Sequence, residues 1–207
     1  DFLFAQASWH LANLDNVNVV KLLSRVIMDL AEGEIKQNLN RYDSGQTFSK
    51  YINKSYCKTA SLIANSAKAA GVLSELNEKN LNMLYEFGKN IGLAFQVVDD
   101  ILDFTGNDKQ LGKPAVSDLA SGYLTAPVLY ALEENEKLSL LINRELSEKD
   151  DLNNALEIIM SSNAIKRSRK LAENFATLSK EALVWLPESE SKRALMALPE
   201  FVLSRLY

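Results

Sequence analysis

The sequence predicts an all-α, single-domain protein. Glycine and proline are scarce, 8 and 4 in 207 residues, which favours long helices over a turn-rich β fold. Apolar residues recur in steps of three and four along most of the chain, the period of a helix with one buried stripe. No run reads as a strand, no segment is of low complexity, and no internal repeat stands out. A chain of 207 residues is long enough for one domain with a sizeable core, placed here over residues 1–207.

In chain order, Asp1–Leu14 is a strongly apolar helix, with Phe2, Leu3, Ala5, Trp9 and Ala12 expected to be buried. Its His10 reads as a packed or partly exposed residue. Asn18–Asn40 carries a stripe of Val19, Leu22, Leu23, Val26, Ile27, Leu30, Ile35 and Leu39, interrupted by Gly33 between two acids. Phe48–Gly71 resumes the pattern, with Gly71 as its stop. A long helix starts at Asn77 or Glu78 and runs to three aspartates. Gly88 and Gly92 sit four apart on it, at a cost of up to about 1 kcal/mol each, and suit close approach of another helix or a ligand. Gly106–Ser117 is a loop. Asp118–Glu134 is a helix with Pro127 near its middle, expected to kink or break it. Leu138–Leu146, Asp150–Ser161, Ala164–Leu186 and Ser191–Tyr207 complete the bundle.

Composition narrows the partners. The chain is 47% hydrophobic and 24% charged, with a net charge of −4 and both signs interspersed. Nothing clusters basic residues as a nucleic-acid surface would. The uncharged stretch between Asp1 and Asp15 is short of the roughly 18 residues a membrane span needs, and it lacks the basic start of a signal peptide. Cys57 stands alone, so no internal disulfide forms and a reducing compartment is expected. The chain opens at Asp1 without methionine, directly in an apolar run, which reads as a truncated start.

Chemistry concentrates in Gly92-Leu93-Ala94-Phe95-Gln96-Val97-Val98-Asp99-Asp100-Ile101-Leu102-Asp103. Asp99 and Asp103 are one helical turn apart and share a face; Asp100, three before Asp103, widens it. Like charges at this spacing destabilise a helix slightly. A hard cation between the carboxylates would reward the arrangement, since Mg²⁺ takes oxygen ligands and shares them with substrate phosphates. Exposed acids at a helix end are the plainer alternative. Beyond Asp103 come Phe104-Thr105-Gly106, Leu111-Gly112-Lys113-Pro114, Ser117-Asp118-Leu119, Gly122 and Leu124-Thr125-Ala126-Pro127. Gly106 to Lys113 is not a P-loop: five residues separate its glycines, Pro114 replaces Ser/Thr, and no strand precedes it. A calcium loop fails because Asp108 stands where glycine is needed. Upstream, Lys58 is the one lysine in the small, uncharged segment Tyr56–Leu62, and by itself reads as a snorkelling surface residue.

Together these residues resemble the trans-isoprenyl diphosphate synthases. The pattern is Gly-x-x-Phe-Gln-x-x-Asp-Asp-x-x-Asp, then Gly-Lys, Asp-Leu and Thr-x-Pro. Asp1-Phe2-Leu3, Gly33-Glu34 and Lys58-Thr59-Ala60-Ser61-Leu62 also resemble family segments. Asp118-Leu119-Ala120-Ser121-Gly122 and Leu124-Thr125-Ala126-Pro127 look most like the solanesyl-type polyprenyl synthases. The resemblance implies an orthogonal helical bundle of the isoprenoid synthase type. It implies a Mg²⁺-dependent prenyltransferase that condenses an allylic diphosphate with isopentenyl diphosphate head to tail and releases pyrophosphate. It implies that Asp99 ligates Mg²⁺ directly, and Asp100 and Asp103 directly or through water. Lys58 and Lys113 would hold the leaving diphosphate, Thr59 and Gln96 would bond it or orient the nearby carbocation, and Phe95 would lie against the apolar part of the substrate. A homodimer is expected, both from the resemblance and from the apolar, small-residue segments Asp1–Leu14 and Ser55–Gly71; the location is cytoplasmic, or plastid stroma in a eukaryote.

Two departures stand out. The family's first aspartate-rich motif does not occur here and by family order precedes Asp1, and Tyr123 stands where the family usually has a lysine. A non-catalytic regulatory partner of an active synthase is the competing expectation, opposed by the intact Asp99-Asp100-x-x-Asp103, Lys58 and Lys113. A terpene cyclase would share the fold but not the Gly-Lys and Asp-Leu run.

Overall fold

The computed structural model describes residues 2–106 and 116–206, and among them the regular structure is helical, with no strand. The helices are α1 (Phe2–Ala12), α2 (Val17–Leu39), α3 (Phe48–Ser55), α4 (Ser61–Leu73) and α5 (Glu78–Thr105). After them come α6 (Ser117–Ala120), α7 (Ala126–Glu134), α8 (Glu136–Asn143), α9 (Asp151–Ser161), α10 (Ala164–Glu181) and α11 (Glu190–Ser204). A π-helical turn, Tyr56–Ala60, joins α3 to α4.

Everything is arranged around α5. Asn77 starts it, its side chain accepting the Asn80 N–H at 3.0 Å and so satisfying one orphan donor of the first turn. Leu93, Ala94, Val97, Val98 and Ile101 are fully buried in it. Helices α4 and α10 pack along it, with α11 and the π turn against its second half. A Cβ at Gly88 would lie 2.5 Å from the Ile63 carbonyl oxygen, and one at Gly92 2.5 Å from the Ala60 Cα. The expected use of these glycines, close approach of another helix, is what the structure contains.

Several expectations are corrected. The region 118–134 is not one kinked helix. It divides into α6 and α7, with Pro127 in the first turn of α7, where its missing N–H costs nothing. Between them Gly122 takes φ +80°, and any Cβ there would strike the Tyr42 ring at 2.5 Å. The helix expected over Asn18–Asn40 is present as α2, whereas α4 runs past Gly71, its expected stop, to Leu73. The buried stripe of α2 is Val19, Val26, Asp29, Gly33 and Gln37, whereas Ile27, Leu30, Ile35 and Leu39 are exposed. None of α1 is buried: Phe2, Leu3 and Trp9 are 77%, 78% and 64% exposed. Periodicity identifies an apolar helix but not whether anything covers it. Among the described residues no helix is long and apolar enough to cross a membrane.

Candidate active site

The π turn sets the local geometry. It lies between two glycines, with Cys57 against Gly33 of α2 and Ala60 against Gly92 of α5; Cβ atoms at those glycines would fall 3.1 Å from Cys57 Cβ and 2.5 Å from Ala60 Cα. One extra residue in a helical turn re-aims the side chains around it, a common device at functional sites. Here it sends Lys58 to the surface, with its ammonium donating to Gln37 Oε1 at 3.0 Å, and turns Thr59 toward α5.

One turn beyond Gly92, Gln96 meets Thr59, whose hydroxyl donates to Gln96 Oε1 at 2.6 Å. The Gln96 amide in turn donates to Asp100 Oδ1 at 2.9 Å, and the Tyr51 phenol donates to Asp100 Oδ2 at 2.6 Å. Thr59, Gln96, Asp100 and Tyr51 thus form one chain of hydrogen bonds running from the site's surface into the core. Its polarity follows from the carboxylate, which only accepts and so fixes which way the Gln96 amide faces. Asp100 is 2% exposed; burial pushes its carboxyl up to about 6, opposed by Lys54 and by the two donors. Burial, with Asp100 beside it, raises the Tyr51 phenol well above its ordinary range.

The three aspartates have different surroundings. Asp99 is half-buried, with Oδ1 2.8 Å from an Arg205 guanidinium nitrogen of the last turn. Asp103 is fully buried and accepts from the Ser117 hydroxyl at 3.2 Å and the Asp118 N–H at 3.1 Å, so it ties the start of α6 to α5. Among the described residues, no three acidic, histidine or cysteine side chains form a group that could hold a metal. The carboxylates suit a hard cation chemically. Asp99 is the most exposed of the three and pairs with Arg205; the oxygens of Asp100 and Asp103 accept from protein donors. Phe95 lies under Arg205, whose guanidinium is 4.7 Å from the ring centre. Lys113 lies outside the described residues.

Asp100, Gln96, Lys58 and Gln37 line a recess of about 20 Å³ with Lys54, Asp118 and Tyr123. It adjoins an open cleft of about 410 Å³ that shares Gln37, Lys54 and Tyr123 and adds Lys36, Lys50 and Asn53. The loop carrying Tyr123 is held from the far side, with Arg41 Nε donating to the Ser121 carbonyl at 2.7 Å and the Tyr42 N–H to that of Gly122 at 2.9 Å. The structure therefore brings together Lys58, Thr59, Gln96 and Asp100, whereas Asp99 and Phe95 meet Arg205 and Asp103 meets the start of α6. Sequence reasoning missed Tyr51, Lys54, Gln37 and Arg205. The four-residue spacing of Lys54 and Lys58 was a usable signal; nothing local marks the other three.

A helical bundle whose central helix carries carboxylates to a lysine-lined cleft is the architecture of the isoprenoid synthases. An Arabidopsis medium/long-chain prenyl pyrophosphate synthase superposes with a TM-score of 0.90 at 38% identity, over 100% of this chain and 71% of that one. A Caulobacter crescentus polyprenyl synthase, solved with calcium and isoprenyl diphosphate, gives 0.90 at 31% identity, over 99% of this chain and 64% of that one. The polyprenyl synthetase family model matches residues 1–159, and the chain belongs to that family. It is 56% identical over 207 residues to a prenyl transferase of Synechocystis sp., covering all of this chain and 64% of that protein's length. It is 48% identical over 206 residues to the chloroplastic solanesyl diphosphate synthase 2 of Arabidopsis thaliana, spanning 49% of that protein.

Proposed function

We propose that the protein is a polyprenyl diphosphate synthase of the solanesyl type, joining an allylic diphosphate to isopentenyl diphosphate head to tail. The observation that carries it is the hydrogen-bond chain from Thr59 through Gln96 to Asp100, placed beside Lys58 at the mouth of a basic cleft in a member of this family. In the reaction the allylic C–O bond breaks and its electron pair leaves with pyrophosphate. The resulting cation adds to the isopentenyl double bond, and a proton is then lost.

Each residue has a task in that sequence. Lys58 places a cation where charge develops on the leaving diphosphate, and Lys113 is assigned beside it from the family pattern. Thr59 and Gln96, locked by Asp100, present fixed dipoles to the substrate at no cost of reorganisation during the reaction. Phe95 offers an apolar face to the prenyl chain. Mg²⁺ held by Asp99, with Asp100 and Asp103 supplying charge behind it, would neutralise the leaving pyrophosphate. The exposed apolar residues of α1 fit a homodimer contact, and the location is assigned to the cytoplasm or a plastid stroma.

The test is incorporation of radiolabelled isopentenyl diphosphate by the complete gene product, with Mg²⁺ and a series of allylic diphosphate primers. Chain elongation that is lost in Lys58→Met supports the assignment. Absence of incorporation with every primer refutes it.

A further inference from the structure

The recess beside Asp100 contains polar groups that the prenyl-transfer chemistry above does not use. Lys54 lies one turn before Lys58, on α3. Its ammonium sits 5.4 Å from the centre of the Tyr51 ring and, among the described residues, meets no hydrogen-bond acceptor. Burial pushes it below the ordinary lysine range, against the pull of Asp100. No hydrogen bond joins it to Asp100, whose two oxygens accept from Tyr51 and Gln96. Two hydroxyls lining the same recess are also unsatisfied. Among the described residues Thr125 Oγ1 is buried without a hydrogen-bond partner, and Ser55 Oγ, buried against the Tyr51 phenol, makes no hydrogen bond of ordinary geometry. Buried polar groups without partners are rare, and two such hydroxyls beside a lysine with no acceptor mark a place where a ligand belongs.

The surroundings identify that acceptor. The recess, about 20 Å³, is lined by Lys54 and Lys58 as well as by Asp100 and Asp118, so its two cations balance its two carboxylates, and it has room for about one oxygen atom. It opens at Lys54 into the cleft of about 410 Å³, whose lining contains Lys36, Lys50, Asn53 and Gln46 and no acid. Lys36 and Lys50 are turned partly outward, toward Glu32 at 2.6 Å and Asp43 at 3.7 Å. A ligand matching this shape is an anion with several oxygens, one of which enters the recess while the rest stay in the basic cleft.

We propose that Lys54, Thr125 and Ser55 form an oxygen-binding subsite for one phosphoryl group of a diphosphate, with Lys36 and Lys50 bordering its other phosphoryl group. This rests on the polyprenyl synthase assignment for its ligand class, and adds residues that the family pattern does not supply. Lys54 shares both cavities with Tyr123, so it provides a cation on the wall where that phenol has none.

The experiment is calorimetric titration of the complete gene product with inorganic pyrophosphate in Mg²⁺ buffer, repeated with isopentenyl diphosphate. Losing one charge-assisted bond should weaken pyrophosphate binding by about tenfold or more in Lys54→Met. Lys54→Arg should stay within about threefold and Thr125→Val should lose several-fold, in line with a charged and a neutral bond respectively. Equal losses for both ligands assign the subsite to any diphosphate, and a loss for pyrophosphate alone assigns it to the leaving group. Wild-type affinity for pyrophosphate in Lys54→Met overturns the subsite, leaving a water in the recess. If Lys54→Met does not fold, Lys54→Gln and Thr125→Val decide by the same comparison. If the wild type itself does not bind pyrophosphate, the functional assignment falls and the subsite with it.

Discussion

Replacing Gly92 by alanine tests the packing that creates the site. The added Cβ would lie 2.5 Å from Ala60 Cα and 2.8 Å from Ala60 Cβ, where comfortable carbon contacts need about 3.5–4.0 Å. Both neighbours belong to or sit on backbone, so the π turn and α5 must separate locally by about 1 Å. Overpacking of this kind costs about 1–3 kcal/mol, and alanine's better helix propensity returns about 1. The net loss of up to roughly 2 kcal/mol should lower the melting temperature by up to roughly 8 °C in a chain of this size. The same displacement would stretch the Thr59–Gln96 bond from 2.6 Å beyond the ~3.5 Å limit of a hydrogen bond, so turnover should fall with stability. Gly71→Ala is the control: its Cβ would meet the flexible ends of Leu81 and Leu84, each at 2.8 Å, and of Leu76 at 3.5 Å, which can swing aside. Thermal melts and isopentenyl incorporation are measured on both. A Gly92→Ala protein that melts at or above the wild-type temperature with full turnover refutes the reasoning.

Asp99→Ala should reduce kcat by about 10² with a smaller change in substrate affinity, because charge at the rim matters most as pyrophosphate departs; steady-state kinetics at saturating Mg²⁺ would show an unchanged kcat if Asp99 has no such role. Asp100 has its carboxyl raised from 3.8 to about 6, so the folded state holds the proton more tightly than the unfolded chain. Its contribution to stability therefore falls as pH rises from about 4 to about 6, by about 3 kcal/mol at about 1.4 kcal/mol per tenfold change in proton affinity. Melts in EDTA should show that step, and Asp100→Asn should flatten it. Tyr51→Phe removes one of the two donors to the buried carboxylate, so it should cost about 1–3 kcal/mol at neutral pH and less below pH 6, read from denaturant titrations at both pH values. Sedimentation equilibrium at micromolar concentration should give twice the monomer mass for the complete gene product; a monomer would contradict the homodimer.

Much of this protein is legible one helix at a time. The all-α class follows from apolar spacing and from the scarcity of glycine and proline, both local properties. Asn77 as the start of α5 and the tight packing at Gly88 and Gly92 follow from cap chemistry and from the absence of a side chain. Lys58, Thr59, Gln96 and the three aspartates are recognisable as chemistry because their types and spacing fit a known pattern.

Their arrangement is a different matter. On a helix wheel Asp99 and Asp103 share a face, and from the sequence they belong together with Asp100. In the fold α5 is enclosed on most sides, so each of its faces meets a different neighbour. Arg205 reaches Asp99 from the last turn of the chain, Tyr51 reaches Asp100 from α3, and the start of α6 draws in Asp103. None of these partners is adjacent in sequence, and no periodicity encodes them. For the same reason the stripe of α2 shifted to include Asp29 and Gln37, and α1 stayed exposed. The sequence by itself determined which segments are helices and which side chains can do chemistry. Only the tertiary structure decided which of those side chains meet, because burial and pairing depend on the neighbour that each helix face encounters.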